Sequence, residues 1–225
     1  MKYSAYYVEE NEGSYSASIT KLDLKKPQEG FVQIKVSHSS LNYKDALSAS
    51  GNKGVTRNYP FVPGIDAVGK ITDANSSEFS EGEDVIVTGY DMGMNTPGGF
   101  GEYINVPAGW IVKKPAKLTN IEVMSIGTAG LTAAASVLKI YESLENSDLP
   151  ILVSGATGGV GSIAVMLLSK LGKEVSALTG KSSSTDFLQS IGASNIIMRD
   201  KYLESDIKAL ERASFSSAID TVGGK

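Results

Sequence analysis

The run Pro150-Ile151-Leu152-Val153-Ser154-Gly155-Ala156-Thr157-Gly158-Gly159-Val160-Gly161 has the residue types of a phosphate cradle. Its proline-bounded apolar stretch predicts a buried parallel strand and its glycines a tight turn. Residues 162–171 then read as a helix with Ile163, Val165, Met166, Leu167 and Leu168 available for burial. Backbone N–H groups at such a helix start point at an anion, and the helix dipole favours negative charge there. In a G-x-G-x-x-G frame the three positions are Ala156, Gly158 and Gly161, with alanine in the first. Glycine turns that bind nothing have the same composition. The context favours binding: 173–179 reads as a second strand at the β-α-β distance, and Gly172 closes the helix before it. Ala156, Thr157, Gly158, Gly159, Val160 and Gly161 are therefore candidate dinucleotide contacts.

The end of the second strand discriminates between cofactors. NAD readers place Asp or Glu there, on the ribose 2′-hydroxyl. This chain has Leu178-Thr179-Gly180-Lys181-Ser182-Ser183, a lysine and hydroxyls with no carboxylate, which suits a 2′-phosphate. NADPH is the expected cofactor, held by Thr179, Gly180, Lys181 and Ser182. The alternative for Lys181 is a solvated lysine in a serine-rich loop.

The elements around this turn predict an α/β chain in two parts. Residues 1–120 are β-rich: 31–36 alternates in part, and 84–87 and 102–106 are short strands edged by glycine and proline. Close-set Gly and Pro suggest a small barrel or sandwich. Residues 121–141 read as one or two helices opening a second domain, 121–225. There the order is strand 150–154, helix 160–171, strand 173–179, helix 185–191 capped by Ser184 or Thr185, strand 195–198, helix 202–212 and strand 217–222. Right-handed crossovers give these four strands the order 3-2-1-4 of a doubly wound parallel sheet, a partial Rossmann domain. Strands five and six have no residues here. The chain is thus expected to be the front of a longer protein, with weak or no turnover alone.

Composition excludes several classes. The 225 residues are 41% apolar and 20% charged, an ordinary globular balance. A net charge of −4 with no basic block argues against nucleic acid. No apolar run approaches the ~20 residues of a bilayer span, and the start lacks a signal peptide. No membrane partner is expected, and cytoplasmic residence fits. With no cysteine and one histidine, His38, disulfides and thiolate metal sites are excluded.

Further motifs are Ser39-Ser40-Leu41-Asn42-Tyr43-Lys44-Asp45, Pro63-Gly64-Ile65-Asp66, Gly98-Gly99-Phe100-Gly101-Glu102-Tyr103, Gly127-Thr128-Ala129-Gly130-Leu131-Thr132-Ala133 and Ile219-Asp220-Thr221-Val222-Gly223-Gly224-Lys225. With the glycine turn they make the chain resemble, along its whole length, the zinc-free branch of the medium-chain dehydrogenase/reductase superfamily. Within it the similarity is to the YhdH/YhfP type of quinone oxidoreductase, which includes acrylyl-CoA reductases. The resemblance implies an N-terminal GroES-like β-domain, a Rossmann domain and a C-terminal return to the first domain. It also implies that the full-length parent is a homodimer, formed through a last strand this chain does not contain.

Zinc-dependent relatives carry Gly-His-Glu after the proline, where this chain has Gly64-Ile65-Asp66. Asn42 stands where they place a first cysteine ligand. No metal is expected, since isoleucine cannot coordinate and amide oxygen is a poor zinc ligand. Asp66 reads as a structural carboxylate. Without a Lewis acid, charge developing in the reaction is best delocalised, so the expected substrates are quinones and the C=C of enones or enoyl thioesters such as acryloyl-CoA.

The resemblance marks Asn42 and Tyr43 as catalytic candidates and puts Tyr43 against the nicotinamide, its phenol bonding the cofactor or the enolate oxygen. The other reading of Tyr43 is a buried anchor with a polar tip. Lys44 and Asp45 read as a plain ion pair. Thr128 and Thr132 lie on a helix start beneath the cofactor in the family, where close helix packing explains small residues equally well. Arg199 resembles a family position near the adenine and 2′-phosphate, or is a surface arginine. The 98–101 turn reads as an ordinary hairpin.

Other classes fit less well. None of the ten tyrosines has lysine four residues on, as a short-chain dehydrogenase requires. Gly180-Lys181-Ser182 lacks the upstream glycine of a P-loop, position 175 being valine. A non-catalytic NADPH-binding protein, sensor or structural, would carry the same binding residues.

Overall fold

The computed structural model describes residues 1–141, 148–200 and 212–223. The chain divides into two compact units, Met1–Thr128 and Ala129–Lys225. The helix expected over 202–212 falls almost wholly outside the described residues, as do Gly224 and Lys225.

The first unit opens with an antiparallel hairpin, β1 (Lys2–Asn11) and β2 (Ser14–Asp23), in the register Lys2↔Asp23 to Asn11↔Ser14. Its two-residue turn, Glu12-Gly13, has φ of 50° and 80°, the paired positive values that match strand twist. A five-stranded antiparallel sheet follows, in the order β6-β3-β4-β5-β7, built from β3 (Phe31–His38), β4 (Asp66–Ala74), β5 (Asp84–Thr88), β6 (Tyr103–Pro107) and β7 (Ile111–Lys113). Alternate residues Val32, Ile34, Val85, Val87, Ile104 and Val106 are buried together, the period-two signature of a strand with one face on a core. Helix α1 (Tyr43–Ala49) follows β3.

The 98–101 turn is not an ordinary hairpin. Gly98 and Gly99 donate to the carbonyls of Val62 (2.7 Å) and Gly64 (2.8 Å), and Phe100 donates to Pro63 (3.0 Å). A Cβ on Gly98 would come within 2.3 Å of the Gly64 carbonyl oxygen, so two backbone segments meet here that no side chain could separate.

Helix α2 (Asn120–Tyr141) is broken at Gly127, with φ 45° and ψ −154°. An 18-residue window of it has a mean hydropathy of 1.5, so the helix passes the length and composition of a bilayer span, which corrects the expectation that no apolar run does so. The break leaves helical pieces 120–126 and 128–141, each shorter than the ~20 residues a span needs.

The second unit is a parallel sheet of β8 (Ile151–Val153), β9 (Val175–Thr179), β10 (Asn195–Met198) and β11 (Ser217–Ile219), in the order β10-β9-β8-β11. That is the 3-2-1-4 order expected. Between β8 and β9 runs α3 (Gly159–Lys170), burying Gly161, Ala164, Val165 and Leu168 at the i, i+3, i+4, i+7 spacing of one face. Met166 is on the outside, contrary to expectation. Helix α4 (Thr185–Ser190) follows a 3₁₀ turn, and neither hydroxyl proposed as its cap serves: Ser184 makes no capping bond, and Thr185 Oγ1 donates back to the Ser182 carbonyl (3.0 Å). The last strand ends at Ile219 rather than 222 because the Asp220 side chain takes the next N–H groups into a turn.

Candidate functional site

In the second unit the elbow is shaped by close approach. Gly155 takes φ +55°, so the left-handed residue precedes the fingerprint. Ala156 is fully buried in the core, which explains why alanine serves where glycine is usual. A Cβ on Gly161 would lie 2.4 Å from the Gly155 carbonyl oxygen, so only glycine lets α3 pack onto the end of β8. Gly158, the N-cap, has no side chain to cap the helix, and the first turn carries no acidic residue. The N–H groups at the start of α3 therefore lack intrahelical partners. Gly158 and Gly159 are exposed, Thr157 and Val160 half-buried. Thr132, on α2, is exposed.

The ends of β9 and β10 bring the selectivity candidates together. Because Met198 pairs with Thr179, residues 180 and 199 leave the sheet side by side. The Arg199 guanidinium reaches within 3.0 Å of where a Gly180 Cβ would be. The ion pair of Arg199 with Asp200, at 3.5 Å, is between exposed groups and is weak. Thr179 is buried, its Oγ1 accepting the Lys181 N–H at 3.1 Å, so it shapes the loop from within. Gly180, Lys181 and Ser182 are exposed. An uncapped glycine-lined helix start with two cations at the ends of the next two strands fits a phosphorylated dinucleotide.

In the first unit a hydrogen-bonded set surrounds Asn42. Ser39 Oγ donates to the Asp66 carbonyl (2.6 Å) and Ser40 Oγ to that of Met124 (2.6 Å), fixing the approach to α1. Asn42 is the N-cap, and Asp45 Oδ2 reaches back to accept its N–H at 2.8 Å, the acidic half of a capping box. Asn42 Nδ2 donates to Asp66 Oδ2 at 2.9 Å. Asp66 Oδ1 accepts from Thr128 Oγ1 (2.7 Å), and the Thr128 N–H also points at this carboxylate, 3.0 Å from Oδ2. A carboxylate only accepts, so Asp66 decides which way the Asn42 amide faces. Thr128 is thus committed to Asp66 as a donor, which is a structural duty beyond helix packing.

Two expectations fail here. No Lys44–Asp45 ion pair forms. Asp45 is 2% exposed, and its Oδ1 accepts the Ile65 N–H at 2.9 Å, while Lys44 is exposed. Tyr43 is not a buried anchor: it is 81% exposed. Burial raises the Asp45 carboxyl above its ordinary value despite the N–H bonds from Asn42 and Ile65, and the nearby Asp66 adds to the rise. The folded chain then holds this proton more tightly than the unfolded one. Ionising Asp45 thus costs stability as pH rises from the ordinary carboxylate value through the raised one.

Beside this set is a largely apolar cavity of about 560 Å³, lined by Tyr6, Leu41, Asn42, Ala46, Ala49 and Phe100 with Asp45. Its size suits a small ligand. Sequence reasoning did not find α1 or its buried acid. The Asn42-x-x-Asp45 spacing was the available signal. Among the described residues no cluster of His, Asp and Glu has the makings of a metal site.

Residues 28–116 match the alcohol dehydrogenase GroES-like domain. The chain is 39% identical over 224 residues to the putative quinone oxidoreductase YhfP of Bacillus subtilis, covering 99% of this chain and 68% of YhfP. It is 41% identical over 222 residues to the probable acrylyl-CoA reductase AcuI of Escherichia coli, covering 98% and 68%. The solved structure of YhfP with NAD bound superposes with a TM-score of 0.92 at 38% identity, over 99% of this chain and 68% of that one. The yhdH oxidoreductase of Salmonella enterica in complex with NADP gives 0.91 at 39%, again over 99% and 68%.

Proposed function

The chain belongs to the quinone oxidoreductase and acrylyl-CoA reductase family of medium-chain dehydrogenases/reductases, and on that premise we propose that it transfers hydride from NADPH to a quinone or to the C=C of an enone or enoyl thioester, without zinc. The observation that carries the reading is the uncapped start of α3, glycine-lined and free of acidic residues. Relatives of this type hold NADP in one case and NAD in another. Here Lys181 and Arg199, with no carboxylate at the end of β9, support the phosphorylated form.

The cofactor supplies the hydride, and the chain's residues bind, orient and stabilise. Thr157, Gly159, Val160 and Gly161 hold the pyrophosphate through backbone N–H groups, while Ala156 and Gly158, whose N–H groups donate to the Leu178 (3.3 Å) and Gly155 (2.9 Å) carbonyls, shape the turn that presents them. Gly180, Lys181, Ser182 and Arg199 hold the 2′-phosphate, Thr179 setting their loop, and Thr132 serves the nicotinamide half, with Thr128 serving it only as an acceptor because its N–H and hydroxyl donate to Asp66. Hydride addition to a conjugated C=C or a quinone leaves charge spread over an enolate or hydroquinone oxygen, for which hydrogen-bond donors suffice. Asn42 and Tyr43 supply them. The amide has a second N–H beyond the one given to Asp66, and the Tyr43 phenol is accessible. Ile65, Asn42 and Asp66 in place of metal ligands support a zinc-independent reaction.

The test follows NADPH oxidation by absorbance with a quinone and with acryloyl-CoA. NADPH binding with neither substrate reduced would overturn the proposal in favour of a binding protein. Tyr43→Phe is expected to lower kcat about tenfold, the loss of one donor at a developing oxyanion. The exposed ring leaves Tm unchanged. Unaltered kcat would remove Tyr43 from the reaction.

A further inference from the structure

The ends of β8 and β11 are sewn together beyond what their ladder requires. The ladder itself stops at Ile219↔Val153, followed by one more backbone bond, Ser154 N–H to the Ile219 carbonyl at 3.0 Å. The side chains then take over. Thr221 N–H donates to Ser154 Oγ (2.9 Å) and Thr221 Oγ1 to the Ser154 carbonyl (2.9 Å). Ser154 Oγ donates to Asp220 Oδ1. The same carboxylate accepts the N–H of Val222 at 3.1 Å and of Gly223 at 3.2 Å. Asp220 thus closes a ring through Ser154, Thr221 and its own turn.

That ring presses on the elbow. A Cβ on Gly155 would come within 2.4 Å of Thr221 Oγ1 and 2.9 Å of Val222 Cγ2. The sheet is parallel throughout, but its order β10-β9-β8-β11 puts β9 and β11 on opposite sides of β8, so the winding of the chain reverses there, and the crevice at such a switch point is where doubly wound sheets take ligands. The start of α3 follows β8 and the turn 220–223 follows β11 at this end of the sheet, with Val222 64% exposed. The three hydrogen bonds to the acid hold its carboxyl below its ordinary value, the Ser154 hydroxyl contributing most.

We propose that Asp220 is a positioning residue for the dinucleotide: acting through Ser154 and the N–H groups of Val222 and Gly223, it fixes the turn 220–223 as the wall of the crevice facing away from the 2′-phosphate residues. The proposal rests on the NADPH reading above. It assigns Asp220 to the nicotinamide-side half of the ligand, because Lys181 and Arg199 follow β9 and β10, on the opposite side of β8. Asp220 touches the ligand only through the turn it holds.

The test titrates NADPH and 2′,5′-ADP, which lacks the nicotinamide half, into the chain by calorimetry. It compares wild type, Asp220→Ala, Asp220→Asn and Ser154→Ala, with Tm recorded for each. Asp220→Ala is expected to raise the NADPH dissociation constant about tenfold and to leave 2′,5′-ADP within about twofold. Asp220→Asn keeps an acceptor for Ser154 and Val222 and is expected to restore most of the loss. Ser154→Ala, close to isosteric, reproduces the loss if Asp220→Ala fails to fold. Equal weakening of both ligands, or no change in NADPH, overturns the positioning role while the cofactor reading stands. Wild type binding neither ligand removes the cofactor reading and the proposal with it.

Discussion

Replacing Lys181 and Arg199 together by alanine is expected to raise the dissociation constant for NADPH about 100-fold and to leave NADH within about twofold. The register makes the pair possible: Thr179 and Met198 are partners at the last rung of β9 and β10, so the next residues of both strands emerge together. Gly180 has no side chain, and the Arg199 guanidinium occupies the space beside it. The Lys181 backbone is held by Thr179 Oγ1, which fixes the base of the lysine without restraining its ammonium. Each cation offers charge-assisted bonds to a phosphate, about twice as strong as neutral ones but discounted at an exposed surface. A factor of about ten for each is consistent with that discount, and the two act on one phosphate. The measurement is paired titration with NADPH and NADH at one ionic strength, because added salt screens exposed charges and shrinks the difference. Equal losses for both cofactors would show that the two side chains support the loop and do not read the phosphate.

What sequence made legible, and what it hid, follows from where the fold relies on periodic hydrophobicity. The second unit announces itself because its strands carry short apolar stretches, Ile151-Leu152-Val153 and Ile196-Ile197-Met198 among them, and α3 buries one helical face, down to the 3-2-1-4 order of the sheet. Helix α1 announces nothing. Its buried residues are Asp45 and Ser48, both polar, so no apolar stripe exists for a period to reveal. The same reason hid the Asn42–Asp66–Thr128 set: Asp66 and Thr128 lie 62 residues apart and meet only through the fold. Tyr43 was ambiguous for the opposite reason, since a tyrosine at a helix start is equally at home buried or exposed, and only the geometry of α1 turns it outward. Strand β11 looks longer in sequence than it is, because a carboxylate that captures the N–H groups two and three residues ahead resembles one more polar strand position.

Asp66→Ala is expected to lower the unfolding free energy of the first unit by about 3 kcal/mol, the range for removing a buried acceptor that serves several donors. Asp66 is completely buried, and its removal takes one acceptor from the Asn42 amide, the Thr128 N–H and the Thr128 hydroxyl together. It also releases the break in α2: a Cβ on Gly127 would sit 2.7 Å from Asp66 Oδ2, so the carboxylate and the kinked backbone are fitted to each other. Asp66→Asn separates the fold from the site. Its Oδ1 still accepts from Thr128, so most of the stability is retained, with a loss of about 1 kcal/mol. Its NH₂ then faces the Asn42 NH₂, and the Asn42 amide must rotate to present oxygen instead. The donor assigned to the developing oxyanion is thereby withdrawn. Turnover is expected to fall far more than Tm in Asp66→Asn, whereas Asp66→Ala loses both, read by urea unfolding beside NADPH oxidation. An Asp66→Asn variant with normal turnover would show that the orientation of Asn42 does not matter to the reaction, and that Asp66 serves the fold alone.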